Sequence, residues 1–155
     1  MANQVSKLER ARKSPKRNPF FQESPLFKDI EDTIRADLEY RGIPKQKEGG
    51  NDYELTITPR DASFEFSLDI MLNFESKVFD DLKKALMEEQ GKSGHETFRA
   101  ITKGNKITIT ATTAADLIDG INDALYDQYP GRPHAIQASE YIDARPGKNG
   151  KVWEK

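Results

Sequence analysis

Two histidines, His95 and His134, are the side chains of this chain best suited to metal binding or proton transfer. Each lies beside glycine or proline in a segment expected to be a loop, and neither has the spacing of a metal-binding motif. We therefore predict two solvent-exposed loop histidines. Cysteine is absent, which excludes a disulfide, a thiolate nucleophile and a thiolate metal site. We accordingly expect no metal and no other cofactor.

The segment 91–95 contains a Gly-Lys-Ser triplet, which resembles the end of a phosphate-binding P-loop. It lacks the earlier glycine of that motif. It also follows a predicted helix, whereas a P-loop follows a strand. We therefore reject a phosphate-binding loop at this position.

Four aspartates on the last predicted helix, Asp116, Asp119, Asp123 and Asp127, could form a metal-binding face. The first three lie on neighbouring turns, three and four residues apart. A helix cap explains Asp116, and solvation of the outer helix face explains the others. No serine or threonine has a histidine or lysine at a spacing that would activate it. We predict a protein without catalytic residues.

The formal net charge of −2 conceals an uneven distribution. Residues 1–19 carry six basic and one acidic side chain, residues 20–130 thirteen and twenty-two, and residues 131–155 five and three. The N-terminal arm could neutralise the phosphates of RNA or DNA, or an acidic partner surface. Alternatively, it is a solvated leader that binds nothing. The contact candidates in the arm are Lys7, Arg10, Arg12, Lys13, Lys16 and Arg17.

The elements that must position these residues follow from apolar periodicity. Alternation over 64–74 predicts the longest strand, and a weaker alternation after residue 53 predicts a partner strand. Helices are predicted over 25–41, from Ser76 to Gly91 and from Thr113 to about residue 130. Gly104-Asn105 predicts a type II′ hairpin turn between two further strands. Gly120, inside the last helix, indicates a closely packed neighbour.

These elements predict an α+β domain in which an antiparallel sheet with a β-α-β-β-α core is packed by two helices, preceded by an N-terminal helix. We divide the chain into a basic flexible arm (1–23), a single domain (24–130) and an irregular C-terminal tail (131–155). Neither a signal peptide nor a membrane span is expected. The apolar residues of the termini could dock onto a neighbour or back onto the domain; these are Phe20, Phe21, Tyr141, Ile142, Val152 and Trp153.

The run from Phe64 to Leu125 resembles the Pcc1 family, the dimerising subunits of the KEOPS tRNA-modification complex. The likeness lies in residues 74–76, 84–86, 104–109 and 117–125 and in the shared order of strand, helix, strand, strand, helix. Ile118 stands where that family usually has an arginine, and the terminal extensions have no counterpart. Residues 116–125 are also similar to ribosome hibernation factors, and residues 63–66 to the YajQ family. Such likenesses imply a fold, whereas function must come from a site.

Two functional hypotheses follow. The first is a non-catalytic assembly or adaptor subunit that docks through its termini onto a larger complex, which could contain nucleic acid; a phage-type structural or host-takeover protein belongs to this class. The second is a direct RNA- or DNA-binding protein that uses the basic arm. We expect protein partners, a cytoplasmic location (or the virion for a phage protein) and no membrane partner, and we leave a homo-oligomer open.

Overall fold

The computed structural model describes residues 19–43, 54–126 and 136–153. The six basic arm residues, His134 and the loop predicted at 45–52 lie outside the described residues. Three helices, α1 (Pro25–Arg41), α2 (Lys77–Glu88) and α3 (Ala114–Tyr126), and six strands are present in the described ranges. The strands are β1 (Leu55–Pro59), β2 (Phe66–Leu72), β3 (Arg99–Lys103), β4 (Lys106–Ala111), β5 (Arg145–Pro146) and β6 (Val152–Trp153). The predicted α+β class is confirmed.

Helix α1 begins and ends where the sequence predicts. The Ser24 hydroxyl accepts a hydrogen bond from the Phe27 backbone N–H at 3.1 Å, and Pro25 occupies the first helical turn. Gly42 ends the helix with φ of 117°, a left-handed conformation that glycine adopts without steric cost. The apolar stripe of this helix, which includes Ile30, Ile34 and Leu38, is buried.

The four long strands form an antiparallel sheet in the order β1-β2-β4-β3. Strand β2 is central, and its alternate residues Phe66, Leu68, Ile70 and Leu72 are buried. They share one hydrophobic core with the apolar faces of the helices. The helices thus cover one face of the sheet, as expected for an α+β layer arrangement.

Strand β2 begins two residues later and ends two residues earlier than the predicted 64–74, and its N-terminal end leaves the sheet. Phe64 has φ of 66°, a conformation that is unusual for an aromatic residue, and its N–H donates to the Gly147 carbonyl at 2.8 Å. A contact with the C-terminal segment therefore replaces strand pairing at this end. Phe64 is 61% and Phe74 36% exposed, so their predicted places on the apolar strand face are wrong.

The predicted hairpin turn is confirmed, with Lys103 and Lys106 opposite each other and Gly104 at φ of 59°. The predicted close neighbour of Gly120 is confirmed too. An ideal Cβ at Gly120 would lie less than 3.0 Å from three carbon atoms of the buried Phe98 ring. The missing side chain of Gly120 is therefore what allows Phe98 to pack against α3.

The C-terminal segment packs against the domain. The Asn122 side chain in α3 donates to the Ile136 carbonyl at 2.8 Å and accepts from the Ile136 N–H at 3.1 Å. The Tyr141 hydroxyl donates to the Asp29 carboxylate in α1. The Val152 N–H donates to the Pro19 carbonyl at 2.8 Å, so the two termini of the described chain meet.

Within the described ranges, no helix has both the length and the apolar character needed to cross a membrane.

Candidate functional site

We call the sheet face opposite the helices the uncovered sheet face, because its described side chains are exposed or half-buried apart from Ser67, which is 3% exposed. Strand periodicity and register place on it every second residue of each strand. Apart from two apolar side chains, Met71 and Ile101, this face is polar and charged. Its other members are Thr56, Thr58, Ser67, Asp69, Arg99, Lys103, Lys106, Thr108 and Thr110.

Charge is separated between the two layers of the domain. The four strands of the sheet carry three basic residues and one acidic residue, whereas the three helices carry eleven acidic and six basic residues. The acidic strand residue, Asp69, accepts a hydrogen bond from the Thr108 hydroxyl at 2.6 Å and lies 3.8 Å from the Arg60 Nε. The uncovered sheet face is therefore basic, although the domain as a whole is acidic.

A groove of about 270 Å³ lies at the edge of the sheet where the N-terminal segment joins the domain. Phe20, which directly follows the start of the described chain, is 46% exposed, and the Lys151 Nζ lies 5.9 Å from the centre of its ring. The groove brings an aromatic ring and a guanidinium group together close to Pro19, the first described residue. It is lined by Phe20, Phe21, Gln22, Pro59, Arg60, Asp61 and Gly150.

The six terminal residues predicted to dock are divided by the structure. Phe21, Tyr141 and Val152 are at most 7% exposed and belong to the core of their own domain. Phe20 and Ile142 are exposed, Ile142 by 83%, and Trp153 is half-buried against Gly147. For the three buried residues, the structure corresponds to docking back onto the domain.

His95 is buried at 2% exposure, so the prediction of a solvent-exposed loop histidine is wrong. The segment 89–98 folds back onto α3, with Gly91 and Gly94 at φ of 68° and 99°. The edge of the His95 ring meets the buried Phe98 ring, with centroids 5.8 Å apart. Sequence periodicity could not reveal this burial, because the contacts come from a different element.

One face of α3 holds this loop at three successive turns. The Asp116 carboxylate accepts from both the N–H and the hydroxyl of Thr97, at 2.9 and 2.6 Å. Gly120 contacts Phe98 one turn further on. The Asp123 carboxylate lies 3.6 Å from His95 Nδ1 in the following turn.

The two aspartates therefore have roles that the sequence did not indicate. The Thr113 hydroxyl accepts from the Asp116 N–H at 3.1 Å, as predicted for a capped helix start, but the Asp116 carboxylate binds the loop. Solvation of the outer helix face does not by itself explain Asp123, because its carboxylate lies 3.6 Å from Nδ1 of the buried His95.

Glu89 completes a cluster with His95 and Asp123. The Glu89 Oε1 lies 3.2 Å from His95 Nε2, and its other oxygen lies 3.2 Å from the Lys92 Nζ. The Glu89 side chain is 7% exposed and that of Asp123 58%. One ligand atom from each of Glu89, His95 and Asp123 lies within 4.8 Å of the other two.

Sequence reasoning missed Glu89, although a signal for it exists. Residues Leu82, Leu86 and Glu89 are spaced four and three apart, so Glu89 continues the apolar stripe of α2. A carboxylate on such a stripe is expected to be buried, and a buried carboxylate needs a partner.

Comparisons of this chain with protein-family models, with curated proteins and with solved structures find no match.

Proposed function

We propose that this protein binds RNA or DNA directly, through its basic arm and the uncovered sheet face. The observation that carries this proposal is the separation of charge, with a basic sheet face opposite an acidic helical layer. A polyanion is attracted to the sheet side and repelled by the helices. The charge pattern thus favours one orientation of the bound strand.

The place where the described chain begins supports the same interface. Pro19, the first described residue, directly precedes Phe20, which lines the groove at the edge of the sheet together with Arg60. Nucleic-acid binders without sequence preference combine basic side chains with aromatic rings on which bases stack. Phe20 is exposed at this position, and Phe64 is exposed next to the same C-terminal segment, at Gly147.

The test is fluorescence anisotropy of labelled single-stranded oligonucleotides at several salt concentrations. In one variant the six basic arm residues are glutamines, and in a second Lys103 and Lys106 are glutamines. Log K falls with log salt, and each phosphate contact contributes about −0.7 to the slope for single strands. The slope should therefore become less negative by up to about 4 in the arm variant and by up to about 1.4 in the sheet-face variant.

The matched control replaces Lys28 and Lys84 with glutamine, because both are exposed lysines of the helical layer. It removes the same charge as the sheet-face variant and should leave the slope unchanged. Equal losses in the control and the sheet-face variant would contradict a specific interface. Absence of binding by the unmodified protein at low salt would exclude the proposal altogether.

The adaptor hypothesis is the second candidate, and the edge strand β3 favours it. Among the described residues β3 pairs only with β4, and its Ile101 side chain is 66% exposed. An unpaired edge with an exposed apolar residue is suited to strand pairing with a partner chain. In this form of the hypothesis the partner pairs with β3, whereas the sequence predicted docking through the termini. Ile101→Lys should then reduce recovery of protein partners from nuclease-treated native lysate, while the arm variant should not. The likeness to the Pcc1 family stays a prediction.

A further inference from the structure

We propose that Glu89, His95 and Asp123 form a binding site for a divalent metal ion of zinc-like chemistry. This site is separate from the uncovered sheet face, and it does not depend on the proposed nucleic-acid binding. The donor set, one imidazole and two carboxylates, is suited to Zn²⁺ and to similar first-row ions.

The first reason is a buried imidazole nitrogen without a hydrogen bond. The His95 side chain is 2% exposed, and Nε2 has no hydrogen-bond partner among the described residues. Nε2 nevertheless lies 3.2 Å from the Glu89 Oε1, outside hydrogen-bonding geometry. In the neutral tautomer that carries its proton on Nδ1, which faces Asp123, Nε2 presents a lone pair to the Glu89 carboxylate and the two repel each other. Buried polar atoms are also costly when unpaired. A cation bound by both atoms removes both penalties.

The second reason is the distance between the donor atoms. Zinc bonds of about 2.0–2.2 Å to nitrogen and oxygen in a tetrahedral site place neighbouring ligand atoms about 3.3 Å apart. The separation of Nε2 and Oε1, 3.2 Å, matches this spacing. The three donor atoms of the cluster lie within 4.8 Å of one another, a wider limit, and the Asp123 Oδ2 lies 3.6 Å from the other ring nitrogen, Nδ1. Two ligands are buried, and the exposed Asp123 carboxylate has to move toward the ion to provide the third ligand from the solvent side.

The neighbouring charges are compatible with a bound ion. Lys92 is paired with Oε2 of Glu89, and the other carboxylate oxygen, Oε1, faces the His95 imidazole. The segment that carries His95 is held on α3 independently, by Thr97 on Asp116 and by Phe98 on Gly120. The His95 imidazole and the Glu89 carboxylate are therefore preorganised before any ion binds.

The test is titration of the full chain with ZnCl₂ after EDTA treatment, by isothermal calorimetry and by thermal unfolding. We expect one ion per chain and a rise in Tm with zinc concentration, because an ion that binds only the folded state stabilises it. His95→Gln and Glu89→Gln should abolish this binding, and Asp123→Asn should weaken it roughly tenfold or more. Asp119→Asn, a change on the same helix but outside the cluster, should bind zinc like the unmodified protein.

A spectroscopic measurement on the unmodified chain covers the case in which the buried variants fail to fold. Nitrogen-15 spectra of the histidine rings should show a shift of the His95 Nε2 resonance on addition of zinc. Absence of binding, a His95 resonance that does not move, or binding that survives in Asp123→Asn without loss of affinity would overturn the proposal.

Discussion

Replacing Gly120 with alanine should destabilise this protein, although the same change in most helices is stabilising. Alanine gains about 1 kcal/mol over glycine within a helix. The new methyl group would, however, enter the Phe98 ring, where three carbon atoms lie less than 3.0 Å from an ideal Cβ. Overpacking typically costs about 1–3 kcal/mol. Because Phe98 is completely buried and cannot turn away, we take the upper value and expect a net loss of about 2 kcal/mol.

The measurement is chemical and thermal unfolding of Gly120→Ala, in which Tm should fall by roughly 4–8 °C for a chain of this size. A double-mutant cycle with Phe98→Ala isolates the clash. That substitution alone should cost about 3–5 kcal/mol, but in its background Gly120→Ala should stabilise by up to about 1 kcal/mol. If Phe98→Ala prevents folding, Phe98→Leu is the alternative background. The coupling energy between the two positions is then about 3 kcal/mol.

An unchanged or raised stability of Gly120→Ala in the native background would refute this reasoning. An equal loss in both backgrounds would also refute it, because the cost would then be independent of the Phe98 ring.

Three further substitutions test the contacts that hold the termini and the loop, each measured by denaturant unfolding. Asp116→Ala should lower the free energy of unfolding by about 1–3 kcal/mol, because it leaves the Thr97 N–H and hydroxyl without their acceptor. A loss below about 0.5 kcal/mol would contradict this role. Ser24→Ala should cost about 1 kcal/mol, because the buried hydroxyl caps α1; a neutral effect would show that the cap contributes nothing. Tyr141→Phe should cost about 1 kcal/mol or more through loss of its hydrogen bond to Asp29. In Asp29→Ala, Tyr141→Phe should then have little further effect.

Local signals in the sequence were sufficient for the helices and for most of the sheet. The start of α1 follows from Ser24 and Pro25 and its end from Gly42, since capping depends on residues that are neighbours in the chain. The β3–β4 hairpin follows in the same way from Gly104 and its flanking strands. Strand β2 was predicted too long, because Phe64 bonds to the distant Gly147 in place of a neighbouring strand.

The candidate sites were much less predictable. The basic character of the uncovered sheet face depends on strand register, which decides which charges share a face. The loop around His95 has no apolar periodicity that would indicate burial, and its two glycines are equally typical of an exposed turn. The buried docking candidates Phe21, Tyr141 and Val152 had two open interpretations until their contacts were known.

The sequence by itself determined the class of fold, the order of the elements and the placement of basic charge in the N-terminal arm. These properties depend on composition and on side-chain spacing over a few residues. Only the tertiary structure decided that His95 is buried between Glu89 and Asp123, and that the C-terminal segment packs on the domain. The physical reason is that both outcomes depend on contacts between segments far apart in the chain, whose desolvation and hydrogen bonding exist only once the helices and the sheet have packed.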